Sequence, residues 1–169
     1  GEFLVHEGGI QSIGKLIQSF SPNEVIYSKS QKNDFEDIVP SEIYTHALDE
    51  WFFEFDYNRD LLLKHFKVHS LKGYGLEGKE LSQVAAGTIL HYLTTIQQKK
   101  VSHIHKVVRV ESDKYMWLDR FTIRNLELVR SNHLSGVSLL DIMDKTKTPM
   151  GARMMSKWVV LPLKVTEEI

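Results

Sequence analysis

The chain has 169 residues, room for one ordinary domain or two small or incomplete ones. Its 42% apolar and 25% charged residues fit a soluble globular core, no apolar run reaches membrane-spanning length, and no secretory signal opens it. The formal net charge of -1 argues against a chain-wide electrostatic footprint for nucleic acid, and the lack of cysteine excludes disulfides, thiolate metal ligands and cysteine nucleophiles.

Residues 2–6 are rich in strand formers, and Ile10, Ile13, Leu16 and Ile17 then recur at helical spacing. "SPNE" breaks that helix, and Glu24–Ser28 reads as a second strand. Strand, helix, strand in this order predicts a parallel βαβ unit. The polar segment from Ser30 to Pro40 reads as a loop. Within Ile43–Phe55, a short strand is expected through Trp51–Phe55, followed by a helix capped by Asp56 with Leu61, Leu62, His65 and Phe66 on one face.

The clearest helical pattern spans about Lys79 to Gln98. Leu81, Val84, Ala85, Thr88, Ile89, Tyr92, Leu93 and Ile96 form its stripe. Gly87 in its middle costs about 1 kcal/mol against Ala, which implies close approach of a neighbouring element. His105–Glu111 reads as a strand with Val108 and Val110 on one face, and a turn follows at Ser112–Lys114. Asp119 caps a helix carrying Phe121, Asn125, Leu126 and Val129. Thr148 and Pro149 open a last helix, in which Met150, Met154, Trp158 and Leu161 fall near one stripe. No repeat or low-complexity tract interrupts the chain.

Four candidate sites can be weighed from residue chemistry. "GYGLEGKE" (Gly73–Glu80) is one residue from a phosphate-binding loop: Gly73, Gly78 and Lys79 fit, but Glu80 stands where a magnesium-binding hydroxyl belongs. A glycine-rich hinge before a long helix accounts for it better. Asp49, Glu50, Glu54 and Asp56 crowd one segment, yet a two-metal nuclease needs several converging carboxylates. His103/His105 and His65/His69 have pairwise metal-ligand spacing but no third ligand. No G-x-S-x-G elbow occurs. Residue chemistry alone therefore yields no enzyme, and no catalytic, cofactor-binding or metal-binding residue is assigned.

The C-terminal third is more specific. "LDRFTIRNLELV" (Leu118–Val129) and "SLLDIMDKTKTPMGARMMSKWVVLPL" (Ser138–Leu163) resemble the DNA mismatch repair protein MutS. Asp119, Thr122, Arg124, Asn125, Leu126 and Glu127 match the family's first core-domain segment. Asp144, Thr146, Thr148, Pro149, Met150, Gly151, Arg153, Trp158, Pro162 and Leu163 match its second. Upstream, "GEF", "WFFEFDYNRDLLLKHF", "LKGYGLEG", "AAGTILHYL" and "HI" resemble successive parts of the family's connector domain, with Tyr74 for a usual Phe.

The resemblance implies an α/β part followed by an α part. Residues 1–117 would be a partial RNase H-like connector, a short mixed sheet with flanking helices, including the joint at 73–78 and the helix at about 79–98. Residues 118–169 would begin an all-α core, or lever, domain. The family's mismatch-reading domain, clamp and ATPase have no counterpart here, so the chain, which starts at Gly1 rather than Met, is expected to be a fragment without catalytic residues. ATP and magnesium would belong to the parent protein, which binds mismatched DNA and recruits MutL in the bacterial cytoplasm.

The expected role is transmission and partner docking, with the rest of MutS and MutL as partners and no membrane. By position, Arg59, Asp60 and Lys64 are the candidate docking residues. Asp119, Arg124, Asn125, Glu127, Thr148, Pro149, Gly151, Arg153 and Trp158 carry the structural motifs, with Arg153 and Asp144 expected to fix a joint electrostatically. Exposed faces such as Met154 and Trp158 are expected to drive self-association. The alternatives are an RNase H-like metal-dependent nuclease and a stand-alone nucleic-acid-binding module.

Overall fold

A computed structural model describes residues 2–36, 38–110 and 114–168. The chain divides into two compact units, one of residues 1–9 and 24–110, the other of residues 10–23 and 111–169.

In the first unit, β1 (Leu4–Val5) pairs in parallel with β4 (Val108–Arg109). The longer strands β2 (Glu24–Ser28) and β3 (Tyr44–Leu48) form a separate parallel pair, with Glu24 opposite Tyr44 and Ser28 opposite Leu48. The βαβ expectation is therefore corrected in its members: β1 and β2 lie in different sheets. The βαβ unit is instead β2, a helical crossover and β3. That crossover is the segment expected to be a loop. A 3-10 turn at Lys29–Gln31 leads into α2 (Lys32–Glu36), because a parallel pair needs a long return and a helix supplies it. Tyr27 of β2 stacks on Phe35 of α2 at 3.9 Å, which pins the helix to the strand it leaves.

The strand expected at Trp51–Phe55 lies earlier, at β3. Glu50–Phe53 is a 3-10 turn, and α3 runs from Phe55 to Phe66. Its N-cap position is Glu54, with no side-chain cap bond, and Asp56 sits inside the first turn. There a carboxylate still opposes the positive helix end. Leu62 is fully buried and Leu61, His65 and Phe66 are half-buried. The long helix is α4 (Glu80–His91), continued by one π-helical turn at Tyr92–Ile96.

The buried face of α4 is rotated from the one expected. Of the expected stripe Thr88 and Tyr92 are buried and Val84 and Leu93 half-buried, but Leu81, Ala85, Ile89 and Ile96 are exposed, and Ser82, Gln83, Ala86, Gly87, Leu90 and His91 are buried with them. The face against α3 is chosen by size and by hydrogen bonding. The Gln83 amide donates to Leu76 O at 2.7 Å, the Thr88 hydroxyl to Phe52 O at 2.9 Å and the Ser82 hydroxyl to Glu7 at 3.1 Å. The Ser82 and Gln83 bonds let polar side chains take positions that a hydrophobic count assigns to solvent. Beneath them lies the core of this unit, in which Val5, Leu62, Leu71, Leu76, Leu90 and Val107 meet.

The segment expected as a strand from His105 is ordered as one only at Val108–Arg109. Val107 and Val110 point inward and Val108 outward, so Val108 and Val110 do not share a face. Glu111 and most of the turn at Ser112–Lys114 lie outside the described residues.

In the second unit, α1 (Ile10–Phe20) packs on α5 (Arg120–Asn125) and on α7 (Pro149–Val160), and α6 (Leu139–Met143) packs on α7. Met116 N–H donates to Pro162 O and Lys164 N–H to Lys114 O, each at 2.9 Å, around a bridge between Tyr115 and Leu163. Among the described residues no helix is long and apolar enough to cross a membrane.

Candidate functional site

The resemblance to a phosphate loop dissolves in the backbone. Lys72–Tyr74 is a 3-10 turn, Gly75 and Gly78 take φ of 69° and 70°, and α4 begins only at Glu80. Both glycines occupy the left-handed region that other residues adopt at a cost. Leu71 and Leu76 anchor the turns in the core, Tyr74 stacks on Phe66 at 4.7 Å, and Lys79 N–H donates to Leu76 O at 3.0 Å. This is a folded joint whose amides are turned to its own carbonyls.

Nor do the acidic and histidine pairs assemble a metal centre. Asp49 pairs with Lys29 at 2.5 Å, Glu50 lies in a 3-10 turn, and Glu54 and Asp56 lie at the start of a helix rather than across a strand face. His69 falls beyond the end of α3, which removes its helical spacing from His65. The His65 Nε2 atom is bonded to Ile104 O at 2.8 Å. His103 and His105 precede β4. Among the described residues no group of three or more ligating side chains could hold a metal ion.

The candidate docking residues lie on α3. Asp60 and Lys64 are exposed one helical turn apart, and Arg59 is half-buried beside them. The helix that presents them is rigidly seated. Asn58, fully buried, donates through Nδ2 to Phe52 O and Glu54 O, both at 2.8 Å, and the Thr88 hydroxyl reaches that same Phe52 oxygen. The neighbouring surface is aromatic. His91 is enclosed by Trp51, Phe52 and Tyr57 at ring distances of 5.5, 4.8 and 5.1 Å, and loss of solvent lowers its pKa. Trp51 and Tyr57 are themselves exposed, and the sequence reading missed them as surface groups by assigning Trp51 to a strand. At the far end of α4, the Tyr92 hydroxyl donates to Glu24. That bond, then burial, raises the tyrosine pKa.

The second unit explains most of its motif residues by caps and turns. Asp119 accepts from Thr122 N–H at 2.7 Å and starts α5; that backbone bond, with the Thr122 side chain, holds its carboxyl below the usual range. Arg124 and Glu127 both grip Asn132, through Arg124 Nε to Asn132 Oδ1 at 3.3 Å and Asn132 N–H to Glu127 at 2.9 Å. Asn125 closes the helix between them. Thr148 accepts from Gly151 N–H at 3.1 Å, with Pro149 at the first helical position. A Cβ on Gly151 would lie 3.0 Å from that of Thr146, so the turn is tight there.

Asp144 accepts from the Thr146 hydroxyl at 2.6 Å and its N–H at 2.9 Å, which lowers the carboxyl pKa. Among the described residues no ion pair joins it to Arg153, which is exposed; the expected electrostatic link is replaced by a local turn. Met150, Met154 and Trp158 are exposed on α7, and of that stripe only Leu161 is buried. Sequence reasoning missed the capping box of α6, in which Ser138 and Asp141 exchange bonds. Its Ser-x-x-Asp spacing was the available signal.

Two family models match in succession: MutS domain II over residues 1–105 and MutS domain III over residues 121–169. The chain is 51% identical over 164 residues to the DNA mismatch repair protein MutS of Cytophaga hutchinsonii, covering 97% of this chain and 19% of that protein. It is 44% identical over 169 residues to the protein of the same name from Flavobacterium johnsoniae, covering 100% of this chain and 20% of that one. To that of Phocaeicola vulgatus it is 44% identical over 164 residues. The chain spans about a fifth of the length of these relatives. With a mixed α/β unit under the first model and helices under the second, the chain belongs to the MutS family of DNA mismatch repair proteins.

Proposed function

We propose that this chain is the coupling and docking segment of a mismatch repair protein: an RNase H-like connector joined to the beginning of the lever. The observation that carries the reading is the succession of the two domain matches along one chain, the first over residues 1–105 and the second over residues 121–169. In this reading the segment performs no catalysis and holds no cofactor. ATP, magnesium and the recognition of mismatched DNA belong to other parts of the parent protein, in the bacterial cytoplasm.

The physical support is rigidity. A segment that transmits motion between domains must not absorb it. The α3–α4 pair is locked by buried hydrogen bonds to Phe52 O and by the close passage of Asn58 past Gly87. The joint at residues 73–78 is folded onto the core through Leu71 and Leu76.

Docking of MutL is assigned to the polar side of α3, at Arg59, Asp60 and Lys64. A charged pair on a rigid helix beside exposed Trp51 and Tyr57 has the make-up of an interface, with aromatic anchors and a polar rim. The test is capture of MutL by the full-length protein carrying Asp60→Arg and Lys64→Glu. At least a tenfold loss of captured MutL is expected, with the fold unchanged by circular dichroism. Undiminished capture removes this face from consideration.

A further inference from the structure

The turn that leads into α3 is acidic and aromatic at once. Residues 49–57, "DEWFFEFDY", hold four carboxylates and five aromatic side chains, and no Lys or Arg. Asp49 is paired with Lys29, whereas Glu50, Glu54 and Asp56 are exposed and held in no ion pair among the described residues.

The fold gathers part of this segment around one imidazole. His91, on the last turn of α4, is 6% exposed, and its ring contacts those of Trp51, Phe52 and Tyr57. Phe52 is buried but Trp51 and Tyr57 are exposed, so the cluster opens to solvent through a tryptophan and a tyrosine. Glu54 lies three residues from each of them, at the corner where the 3-10 turn hands over to α3, and its N–H donates to Trp51 O at 3.4 Å. Glu50 adjoins Trp51 in the same turn. The nearest cation in the sequence, Arg59, is half-buried two residues past Tyr57, a spacing at which helical side chains do not share a face.

His91 Nδ1 is buried with no hydrogen-bond partner among the described residues. An orphaned buried N–H is rarer than an acceptor left without a donor, so the proton belongs on Nε2 and Nδ1 keeps a free lone pair. Loss of solvent also lowers the pKa of this ring, which is therefore uncharged at neutral pH. The cluster presents aromatic faces, an acceptor and bordering carboxylates, with no positive charge among them.

That combination selects its guest. Anions are repelled by the unpaired carboxylates. A purely apolar side chain would use the rings and strip water from the carboxylates without replacing it. A guanidinium uses both: it stacks flat on Trp or Tyr and its N–H fork meets carboxylates, whereas an ammonium is more strongly hydrated and has no plane to stack. We infer that Trp51, Tyr57 and His91, bordered by Glu50 and Glu54, take an arginine side chain from a partner protein. The inference rests on the reading of this face as an interface, and not on MutL being the partner.

The experiment follows the tryptophan indole N–H signals of the nitrogen-15-labelled 169-residue chain by NMR, with Trp51→Phe to assign the Trp51 signal. The probes are the peptide acetyl-Gly-Arg-Gly-amide and its analogues with citrulline, lysine or leucine in the centre. Citrulline keeps nearly the shape of arginine and lacks its charge. The arginine peptide should shift the Trp51 signal saturably, with half-saturation on the order of 1–10 mM, the scale of one side chain held by rings and carboxylates. The signal of Trp158, exposed in the other unit, should stay in place. Lysine should bind roughly threefold more weakly, and citrulline and leucine roughly tenfold. Tyr57→Leu keeps the bulk and removes the aromatic face, and Glu50→Gln with Glu54→Gln removes the charge; each should weaken arginine binding roughly fivefold. The glutamate positions are exposed and bonded through the backbone alone, so that variant keeps the test open if Tyr57→Leu impairs folding. No saturable shift, an equal response to citrulline or leucine, an equal shift of Trp158, or unaltered binding by the double glutamine variant would each overturn the inference. An unmoved Trp51 overturns it even where Asp60→Arg and Lys64→Glu abolish MutL capture, and a saturable, arginine-selective response supports it even where capture is undiminished.

Discussion

Gly87 is the residue on which the first unit's helix pair turns. A Cβ built there would lie 2.5 Å from Asn58 Oδ1 and 2.8 Å from the Asn58 Cα, and no side-chain rotation clears a backbone atom. Gly87→Ala therefore sets two effects against each other. Helix propensity favours alanine by about 1 kcal/mol. Overpacking a close helix contact costs about 1–3 kcal/mol, and here it also strains the Asn58 and Thr88 bonds to Phe52 O. We expect the second to win, with net destabilisation of about 1–2 kcal/mol, read as a lower urea midpoint at an unchanged slope. A raised midpoint would show that the helices can separate freely. The sequence carried this much: a glycine in the middle of a strong helix announced a close neighbour. It did not reveal Asn58, because a buried asparagine whose amide nitrogen donates to two carbonyls looks in the sequence like any polar residue on a solvated helix.

At the scale of elements, what was legible was what is local. The caps at Asp119 and Thr148 each use a side chain three residues from the amide it satisfies, so spacing alone locates them. Strand β2 matched its expected bounds because turn residues fence it on one side and β-branched and aromatic residues fill it. What failed was non-local. The buried stripe of α4 is set by what α3 can approach, and the pairing of β1 with β4 spans nearly the whole first unit. Neither leaves a mark in a short window. The candidate docking face shared this limit, since α3 could be placed but the exposure of Trp51 beside it could not.

The cap at Thr148 gives a quantitative check of the local part. Thr148→Ala removes the acceptor for Gly151 N–H in an exposed first turn, and should cost about 1 kcal/mol. Thr148→Ser should keep most of it. Thermal melts of the two variants decide between a cap and a bystander: equal melting temperatures would mean that Pro149 alone sets the helix start.

At the scale of the whole molecule, the second unit leaves many large apolar side chains exposed. Met150 and Trp158 are 66% and 61% exposed on α7, and Phe121 and Leu126 are 74% and 61% exposed at α5 and its end. The face of α7 that does pack runs through Ala152, Met155, Ser156, Val159 and Val160, so Met150, Met154 and Trp158 form a second apolar stripe with no cover among the described residues. Contiguous patches of this sort associate, because burying apolar area returns about 25 cal/mol per Å² and nothing in the stripe opposes it by charge. The 169-residue chain should therefore form concentration-dependent oligomers in sedimentation velocity, at concentrations on the order of 100 μM. Met154→Lys with Trp158→Glu should return it toward the monomer, since a charge buried in such a contact lacks a partner. The fold should survive, because both side chains already face solvent. Association through α7 should persist or strengthen as salt rises, whereas a contact held by charge should weaken. A chain that stays monomeric throughout, or one whose oligomers dissolve in salt and ignore the α7 substitutions, would locate the contact away from α7.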